Sequence, residues 1–303
     1  MAEVSVIIPN YNHGHFLVQR IESVLKQTYQ DFELIILDDC STDNSKSIIL
    51  SYKGHPKISH IVINTKNSGG PFYQWEKGIN LATGKYIWLA ESDDWCEPSL
   101  LETLVQGIKT DQECVISYCQ LLCVNDKNEI KWQSKHNCLS EVVSSQIFIK
   151  DYLAIKVSIF NASMAIFRKD VFNLISKDFT SYKFCGDWFF WIQIARHGKT
   201  FISGKVLNYF RKHDNDVSGG AYKSGLNIIE EIEVTNWMFK DDIIDERTYI
   251  KAFRKQYKAY YKVRNTINKD YKVAIKLLLA KPLSKKVKLY TFLPSAIWNA
   301  YRK

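Results

Sequence analysis

An apolar run that ends in a cluster of acids constrains the fold of this chain more than any other feature. Residues 86–90, YIWLA, are followed directly by Glu91, Ser92, Asp93 and Asp94. The run is short, aromatic and β-branched, which is typical of a buried strand. The acids therefore lie at the carboxyl end of that strand, where open α/β sheets bind their ligands. A cation that takes oxygen ligands would offset their repulsion; a solvated acidic turn that caps a helix is the alternative.

The N-terminal part of the chain alternates strand-like and helix-like segments three times before this point. Strand-like runs cover residues 4–8, 32–37 and 58–64, and each is followed by polar or acidic residues. Apolar residues at helical spacing come after each run, and the Ser/Thr/Asp cluster at 41–45 is typical of a helix N-cap. The alternation predicts an α/β fold with a parallel, doubly wound sheet.

Positive charge is concentrated at the C-terminal end. The 303 residues carry a net charge of +9, and residues 251–303 hold 15 Lys or Arg against one acid, Asp270, so the rest of the chain is net acidic. Composition changes near Gly219 and Gly220, and residues 228–240 and 247–268 have helical spacing beyond that point. We therefore expect two units, residues 1–218 and a basic helical extension over residues 219–303.

Three further features bear on the compartment. No stretch of 18 apolar residues occurs, so no membrane-spanning helix is expected. The N-terminus enters a strand without the basic and apolar regions of a secretory signal. Seven cysteines, without a CxxC pair, favour reduced thiols over disulfides or a zinc site. Together these features predict a cytoplasmic protein.

Two blocks of sequence resemble the family 2 inverting glycosyltransferases with the GT-A fold. VSVIIPNYNHGHFLVQRIESVLKQTYQDFELIILDDCSTDNS is similar to the opening of that family, and NSGGPFYQWEKGINLATGKYIWLAESDDW is similar to its second block, which ends in a metal motif of the DxD type. The similarity covers about residues 3–215. The metal motif departs from a strict Asp-x-Asp, since it reads Ser92-Asp93-Asp94. A third block has Gly186 where the family carries an acid.

The resemblance implies a Rossmann-like, mostly parallel central sheet flanked by helices, with a helical C-terminal extension. It implies a metal-dependent enzyme that transfers a sugar from a nucleotide diphosphate sugar, for which UDP is preferred, to an acceptor hydroxyl with inversion. The expected acceptor is a lipid-linked glycan, as in lipopolysaccharide, capsule or other surface glycan assembly. A sugar-phosphate nucleotidyltransferase is one alternative, although the chain lacks a glycine-rich basic loop for a triphosphate. A non-catalytic glycan- or nucleotide-binding module is another, and the presence of both Asp94 and Asp187 counts against it.

The resemblance also assigns the donor site. Asp94 matches the last residue of the metal motif and is the first choice as ligand of Mn²⁺ or Mg²⁺, which would offset the charge of the departing diphosphate. Asp93 is expected to face the ribose or to share the metal shell, with helix capping as the alternative. Asp39 is expected to accept a hydrogen bond from a pyrimidine base, and capping of the next helix is its alternative. The other predicted nucleotide-binding residues come from two loops: Pro9, Asn10, Tyr11, Asn67 and Gly69.

Asp187 begins an aromatic helix within residues 184–195. By the resemblance it is the general base that removes the proton of the acceptor hydroxyl. The alternative is an acid placed at a helix N-terminus to complement the macrodipole. Trp188 is expected to flank the acceptor cleft or to belong to the core.

A fourth block, residues 209–218, is rich in cations. His213 is expected to reach the metal or the diphosphate, because imidazole binds Mn²⁺ when neutral and phosphate when charged. Arg211 and Lys212 are expected to pair with diphosphate oxygens. His13 and His15, in the first loop, are interpreted as surface or capping residues.

The last 33 residues combine lysines with leucines and aromatic residues. Such amphipathic segments lie at membrane interfaces that contain anionic lipids, so we expect a peripheral protein on the inner face of the cell membrane. A helical tail that packs on the catalytic domain is the alternative. Nucleic acid is not an expected partner, because no recognised motif is present and the rest of the chain is net acidic.

Overall fold

A computed structural model describes residues 2–213 and 217–287, without the side chains of residues 217–219. The strands are β1 Val4–Asn10, β2 Phe32–Asp38, β3 Ile58–Ile63, β4 Tyr86–Leu89, β5 Trp95–Cys96, β6 Cys114–Asn125, β7 Ile130–Gln133, β8 Ser140–Val143, β9 Ala165–Arg168 and β10 Lys199–Lys212. The helices are α1 Gly14–Leu25, α2 Ser45–Ser51, α3 Pro71–Leu81, α4 Leu100–Ile108, α5 Ser145–Ile147, α6 Lys169–Phe172, α7 Gly186–Ala195, α8 Val217–Ser224, α9 Leu226–Lys240, α10 Glu246–Val263 and α11 Lys269–Ala280. A π-helical turn, Phe148–Leu153, continues α5.

The strands form one sheet in the order β3-β2-β1-β4-β9-β6-β10-β5. The first four run parallel, with Ile7 of β1 opposite Ile35 of β2 and Leu89 of β4. Every residue of β1 is buried, which is the reason its sequence is a nearly continuous apolar run. The parallel sheet predicted for the N-terminal part is thus confirmed.

The second half of the sheet is mixed. Strand β9 runs antiparallel between β4 and β6, and β10 is parallel to β6. The short strands β5, β7 and β8 add antiparallel pairs. Because two antiparallel steps restore the original direction, β10 ends at the same edge of the sheet as β1, β2 and β4. Six strands, β1, β2, β3, β4, β6 and β10, therefore have their carboxyl ends at one edge of the sheet.

The C-terminal helices pack against the sheet-bearing part. Ile232 of α9, Phe253 of α10 and Ile275 of α11 are fully buried and belong to the same apolar core as the strands. The helices predicted over residues 228–240 and 247–268 are confirmed as α9 and α10. Helix α8 runs through the expected boundary at residue 218, and the division into two units stays a prediction. None of the helices in the described ranges is long and apolar enough to cross a bilayer.

Residues 288–303 of the C-terminal amphipathic segment lie outside the described residues. The part that is described, α11 and the turn after it, has both a buried and an exposed side. Ile275 and Leu279 face the core, whereas Val273, Leu277 and Leu283 are exposed. Helix α11 therefore packs on the rest of the protein. Membrane contact by residues 288–303 stays a prediction.

Candidate active site

A cavity of about 1600 Å³ is lined by residues that follow β1, β2, β4 and β10. Its wall also includes the start of α7 and parts of α9 and α10. All but one of the residues predicted for the site from the sequence line it: Pro9, Asn10, Tyr11, Asp39, Asn67, Gly69, Asp93, Asp187, Trp188, Arg211, Lys212 and His213. The exception is Asp94. The sheet topology thus gathers residues from four separate sequence blocks around one space.

Three side chains with metal-ligand atoms meet at one wall of this cavity. Nitrogens of His13 and His213 and a carboxylate oxygen of Asp93 lie within 4.8 Å of one another. Asp93 Oδ2 is 3.2 Å from His213 Nε2, and His13 Nδ1 is 2.8 Å from Ser92 Oγ. The two imidazole rings lie edge to face with centroids 5.3 Å apart. His13 occupies the N-cap position of α1, as its interpretation as a capping residue expects, but its side chain makes no capping hydrogen bond and belongs to this cluster instead.

The pKa values of the three acids after β4 are shifted in different directions. Burial raises the pKa of Asp93, but the His213 hydrogen bond and the nearby imidazoles outweigh it, so the pKa of Asp93 lies below its ordinary value. Burial, together with the charges of Asp93 and Asp94, raises the pKa of Glu91 to about 8. Burial and the charge of Asp93 likewise raise the pKa of Asp94. Of the three acids, Asp93 is the one whose pKa is lowered.

Asp94 has different surroundings from Asp93, which belongs to the cluster of metal-ligand atoms. Asp94 is fully buried and is turned into the protein, where Oδ2 accepts a hydrogen bond from Ser163 Oγ (2.7 Å) and Oδ1 accepts one from the backbone N–H of Arg211 (3.1 Å). These contacts tie the acidic turn to β10. Asp94 is not among the residues that line the cavity, and its assignment as the first metal ligand stays a prediction.

Arg211 is also placed differently from its prediction. Its guanidinium carbon lies between two aromatic rings, 4.1 Å from the Phe16 centroid and 4.6 Å from the Trp95 centroid. Its Nη atoms donate to the carbonyl of Asp93 and to Gln19 Oε1, and the side chain is 3% exposed. The guanidinium of Arg211 therefore holds the acidic turn, and its Nη atoms are not free to bind a diphosphate. Of the two predicted diphosphate ligands, the partly exposed Lys212 keeps that assignment.

Arg20 on α1 lies beneath the acidic turn and was missed by the sequence interpretation. Its Nε donates to the carbonyl of Glu91 (2.9 Å), and its fully buried guanidinium lies 5.3 Å from the Trp88 ring. The positive charge lowers the pKa of Glu91 and Asp94 and so offsets part of the burial effect. A signal was present, since residue 20 lies on the same helix face as Leu17 and Val24. A charge on a buried face needs a partner of opposite charge.

The carboxylate of Asp39 fastens the loop between β3 and α3. It accepts hydrogen bonds of 2.7–2.9 Å from Asn64 Nδ2, Ser68 N, Ser68 Oγ and Gln74 Nε2. The alternative that Asp39 caps α2 is wrong, because Asp43 accepts the N–H of Ser45 at the start of that helix. Asp39 lines the cavity, and its contact with a nucleotide base stays a prediction.

The loop after β3 leaves room for a ligand. Gly69 has a φ of +93°, which disfavours any residue with a side chain, and nothing lies within 4 Å of where its Cβ would be. Asn67 donates to the carbonyl of Asp39 and accepts the N–H of Gly69. At the carboxyl end of β1, the Oδ1 atom of Asn10 is buried without a hydrogen-bond partner, and the side chain of Tyr11 is 48% exposed. An unpartnered acceptor and an exposed ring fit a site for a polar, planar group.

Asp187 lies in the first turn of α7 and is partly buried. Its Oδ1 accepts the backbone N–H of Trp188 at 2.7 Å. Burial raises the pKa of Asp187 to about 6, helped by the charge of Glu230 and opposed by the backbone hydrogen bonds. A carboxylate with a pKa near neutrality is suited to take up a proton from a substrate.

Gly186 has a steric reason to be a glycine. A Cβ at this position would lie 2.4 Å from the ring of Phe72 and 2.5 Å from the carbonyl oxygen of Phe179. The acid that the family carries before its Asp therefore cannot fit in this packing. Trp188, next along the helix, is 7% exposed and donates from Nε1 to the carbonyl of Leu153 (3.0 Å), so it supports the cavity wall from within the core.

The donor set of the His13, Asp93 and His213 cluster fits a divalent transition metal. Two imidazole nitrogens and one carboxylate oxygen are ligands that Mn²⁺ accepts, whereas Mg²⁺ prefers oxygen ligands alone. The open side of the cluster faces the cavity, where phosphate oxygens or water would complete the coordination. The residues present therefore fit the metal that the resemblance implies, with Mn²⁺ favoured over Mg²⁺.

Comparison with known proteins agrees with this architecture. A family model, glycosyl transferase family 2, matches residues 5–175. The glycosyltransferase GlyG of Streptococcus pneumoniae serotype 4 is 38% identical over 113 residues, which is 37% of this chain and 37% of GlyG, so the chain spans little more than a third of that relative. A GalNAc(5)-diNAcBac-PP-undecaprenol beta-1,3-glucosyltransferase of Campylobacter jejuni is 25% identical over 294 residues, 95% of this chain and 90% of that one.

Solved structures show the same fold. The crystal structure of Staphylococcus aureus TarS residues 1–349 in complex with UDP-GlcNAc superposes with a TM-score of 0.71 over 98% of this chain and 89% of that chain, at 18% identity. The mannosyltransferase PcManGT of Pyrobaculum calidifontis, in complex with GDP-Man and Mn²⁺, superposes with a TM-score of 0.54 over 99% of this chain and 87% of that chain, at 15% identity. The expected GT-A fold is confirmed, and the chain belongs to glycosyl transferase family 2.

Proposed function

We propose that this protein transfers a sugar from a nucleotide diphosphate sugar, with UDP as the nucleotide, to an acceptor hydroxyl with inversion at the anomeric carbon. The observation that carries the proposal is the shared cavity: the metal-ligand cluster, the nucleotide-side loops and Asp187 all line it. A volume of about 1600 Å³ exceeds the 300–1,000 Å³ of ordinary ligand pockets and leaves room for donor and acceptor together.

The donor is bound at the carboxyl ends of β1, β2 and β4. Tyr11 offers an exposed ring for stacking with the base, and Asp39 offers a carboxylate for its imide N–H. Lys212 supplies positive charge to the diphosphate. Asp93, His213 and His13 hold the divalent cation, which when bound offsets the charge that develops on the leaving diphosphate.

The acceptor is activated by Asp187. In its ionised form the carboxylate removes the proton of the attacking hydroxyl as that oxygen bonds to the anomeric carbon and the bond to the diphosphate breaks. One base on the face opposite the leaving group is what a single inverting displacement requires. Two neighbouring features position Asp187: the tight packing of Gly186 and the backbone hydrogen bonds that Glu230 accepts from residues 183–185.

The acceptor proposed is a glycan carried by a lipid diphosphate. The C. jejuni relative is named for such a substrate, and its match covers 95% of this chain. The exposed Val273, Leu277 and Leu283 on and after α11 alternate with lysines, which suits a surface that touches anionic lipid. We propose on these grounds a peripheral protein at the inner face of the cell membrane.

Two steps test the proposal. Nucleotide sugars are first screened for a rise in melting temperature with and without Mn²⁺, because a ligand that binds only the folded state stabilises it. The nucleotide sugar that stabilises is then offered with lipid-linked glycans, and the anomeric configuration of the product is read by NMR. We expect a UDP-sugar to stabilise the protein only with metal and to be transferred with inversion. Retention, or stabilisation by no nucleotide sugar, would contradict the proposal.

A further inference from the structure

A second group of metal-ligand atoms lies outside the active-site cluster. A nitrogen of His136, the thiol of Cys138 and a carboxylate oxygen of Glu141 lie within 4.8 Å of one another. His136 and Cys138 come from the segment that joins β7 to β8, and Glu141 lies in β8, at the spacing His-x-Cys-x-x-Glu. Within the described residues, this group and the active-site cluster are the two that bring three such ligands together.

The imidazole of His136 is buried in an unusual way. The side chain is 8% exposed, and Nε2 lies 3.1 Å from Glu141 Oε1 without the alignment of a hydrogen bond. A buried ring nitrogen without a hydrogen-bond partner costs free energy unless something else satisfies it. A metal ion placed between the nitrogen and the carboxylate would satisfy both.

The segment is held in place by β10 and by the turn after α5. Glu141 lies opposite Ile202 in the β8–β10 ladder, and its Oε1 accepts a hydrogen bond of 2.7 Å from the hydroxyl of Tyr152. Gly204 donates to the carbonyl of Leu139 at 2.8 Å. Glu141 is therefore held by strand pairing before any metal arrives, and a hydrogen bond to a ligating carboxylate is common in metal sites.

Gly204 shows how closely the segment approaches β10. A Cβ at this position would lie 2.3 Å from the carbonyl oxygen of Cys138. This approach fixes the backbone of Cys138, while its side chain stays exposed to solvent. The exposed thiol leaves an entry path for an ion to a site whose histidine is buried.

We propose that His136, Cys138 and Glu141 bind one Zn²⁺ ion. Nitrogen, sulfur and oxygen ligands together suit zinc, which takes four ligands in a tetrahedron, and a water molecule would fill the fourth position. Binding deprotonates the thiol, and the proton passes to solvent. The thiolate distinguishes this site from the cluster of His13, Asp93 and His213, whose metal-ligand atoms are nitrogen and oxygen alone. Because of this difference, the two sites select different metals.

The site lies next to the wall of the active-site cavity. Tyr152, which donates to Glu141, is followed by Leu153, whose carbonyl accepts the indole N–H of Trp188. Zinc bound here would stiffen the segment that supports the helix of Asp187. The site is independent of the donor site, and its existence does not depend on the transfer reaction.

Cobalt is the probe, because Co²⁺ replaces Zn²⁺ and gives a thiolate-to-cobalt charge-transfer absorption only when sulfur is a ligand. The full-length, reduced protein is titrated with Co²⁺. We expect this absorption to saturate at one ion per chain and to disappear when one equivalent of Zn²⁺ is added. In Cys138→Ser the absorption should be lost, and in His136→Ala the Co²⁺ affinity should fall at least tenfold.

Two matched variants serve as controls. Cys40→Ser removes the other thiol that is not buried, and Asp93→Asn disrupts the active-site cluster; both should keep the absorption. Circular dichroism of each variant shows whether it is folded, and Cys138 is exposed, so its replacement by serine leaves the core unchanged. The proposal is overturned if wild-type protein shows no thiolate absorption, as when Co²⁺ binds at the active-site cluster alone, or if Cys138→Ser retains the absorption.

Discussion

The carboxylate of Glu230, on α9, lies 2.7 Å from the backbone nitrogen of Cys185, two residues before Asp187. The same carboxylate accepts the backbone N–H groups of Lys183 and Phe184, at 2.9 and 2.8 Å. Glu230 is 5% exposed, so these hydrogen bonds are shielded from water. A residue of the C-terminal helices therefore fixes the backbone that leads into the proposed catalytic helix.

Replacement of Glu230 by glutamine should loosen that backbone. A glutamine amide keeps one acceptor oxygen, so at least one of the three N–H groups loses its partner, at a cost of about 1.5–3 kcal/mol in unfolding free energy. We expect turnover to fall at least about tenfold while nucleotide affinity stays near wild type. Glu233→Gln, an exposed position one turn further on, is the control. Calorimetric titration measures the nucleotide affinity of both variants, and a transfer assay measures their turnover. Equal turnover in the two variants would show that Glu230 does not position the catalytic helix.

Replacement of Asp187 by asparagine should stop proton removal and leave donor binding intact. Loss of a general base lowers rates by roughly 10²–10⁴, and we expect turnover to fall by at least ~10². Asp178→Asn, an exposed acid on the neighbouring 3₁₀ turn, is the control. In the wild type, turnover should rise with pH through about 6, since only the ionised carboxylate is a base. A variant that loses donor affinity and turnover together would show that Asp187 serves the donor site instead.

The same residue should affect stability with a definite sign. The folded-state pKa of Asp187, raised to about 6 by burial, exceeds that of an unfolded Asp, so the contribution of this group is largest at low pH and is lost as pH rises through about 6. Asp187→Asn carries no charge, so it should unfold less readily than wild type at about pH 8, by on the order of 1–3 kcal/mol. At about pH 4 the two should agree. Urea denaturation at both pH values measures the difference, and a less stable variant at the higher pH would contradict the sign.

Asp93 and Asp94 should respond differently to the same substitution. We expect Asp93→Asn to abolish the enhancement of UDP binding by Mn²⁺, because it removes the charged ligand of the cluster. Asp94→Asn should retain that enhancement, since asparagine still accepts from the Arg211 N–H and Ser163 can reorient. Isothermal titration of UDP with and without Mn²⁺ compares the pair. The reverse outcome would restore Asp94 as the metal ligand.

A methyl group at position 186 should be costly. In Gly186→Ala the new Cβ would overlap Phe72 and the carbonyl of Phe179, and overpacking of this kind costs about 1–3 kcal/mol. Turnover should fall as well, because the start of α7 has to shift. Gly220→Ala, where nothing lies within 4 Å of the new Cβ, is the control and should be neutral or slightly stabilising. Melting curves and turnover of both variants check the comparison; wild-type values for Gly186→Ala would show that the packing tolerates a side chain.

Truncation after Val287 should separate folding from lipid binding. It retains α11, whose Ile275 and Leu279 are buried in the core, so the melting temperature should stay near that of the full chain. Removal of residues 288–303 takes away basic and aromatic side chains, each basic one worth about 1 kcal/mol near an anionic surface. We expect weaker co-sedimentation with anionic vesicles and unchanged behaviour with neutral ones. Equal binding of the two proteins to anionic vesicles would exclude a membrane role for this segment.

The local pattern of the sequence was sufficient for β1 to β4 and for most of the residues predicted to line the cavity. β1, β2 and β4 are apolar runs because both faces of a parallel strand are covered, and the polar residues after each run mark its carboxyl end. The rule that ligands bind at those ends then places Asn10, Asp39 and Asp93 together. The antiparallel insertion of β9 carries no comparable signal, because strand order depends on contacts between distant segments.

What the sequence determined by itself is therefore the alternation of strands and helices in the N-terminal part, the edge of the sheet at which the site forms, and the family. The tertiary structure decided how the pKa values of two adjacent acids differ, because burial and the charge of Asp93 raise the pKa of Asp94 while the hydrogen bond to His213 helps to lower the pKa of Asp93. The tertiary structure likewise placed Arg211 between two rings and brought His13 beside His213, 200 positions along the chain. Charge state and side-chain direction follow from the surroundings in space, and a linear sequence does not contain those surroundings until it folds.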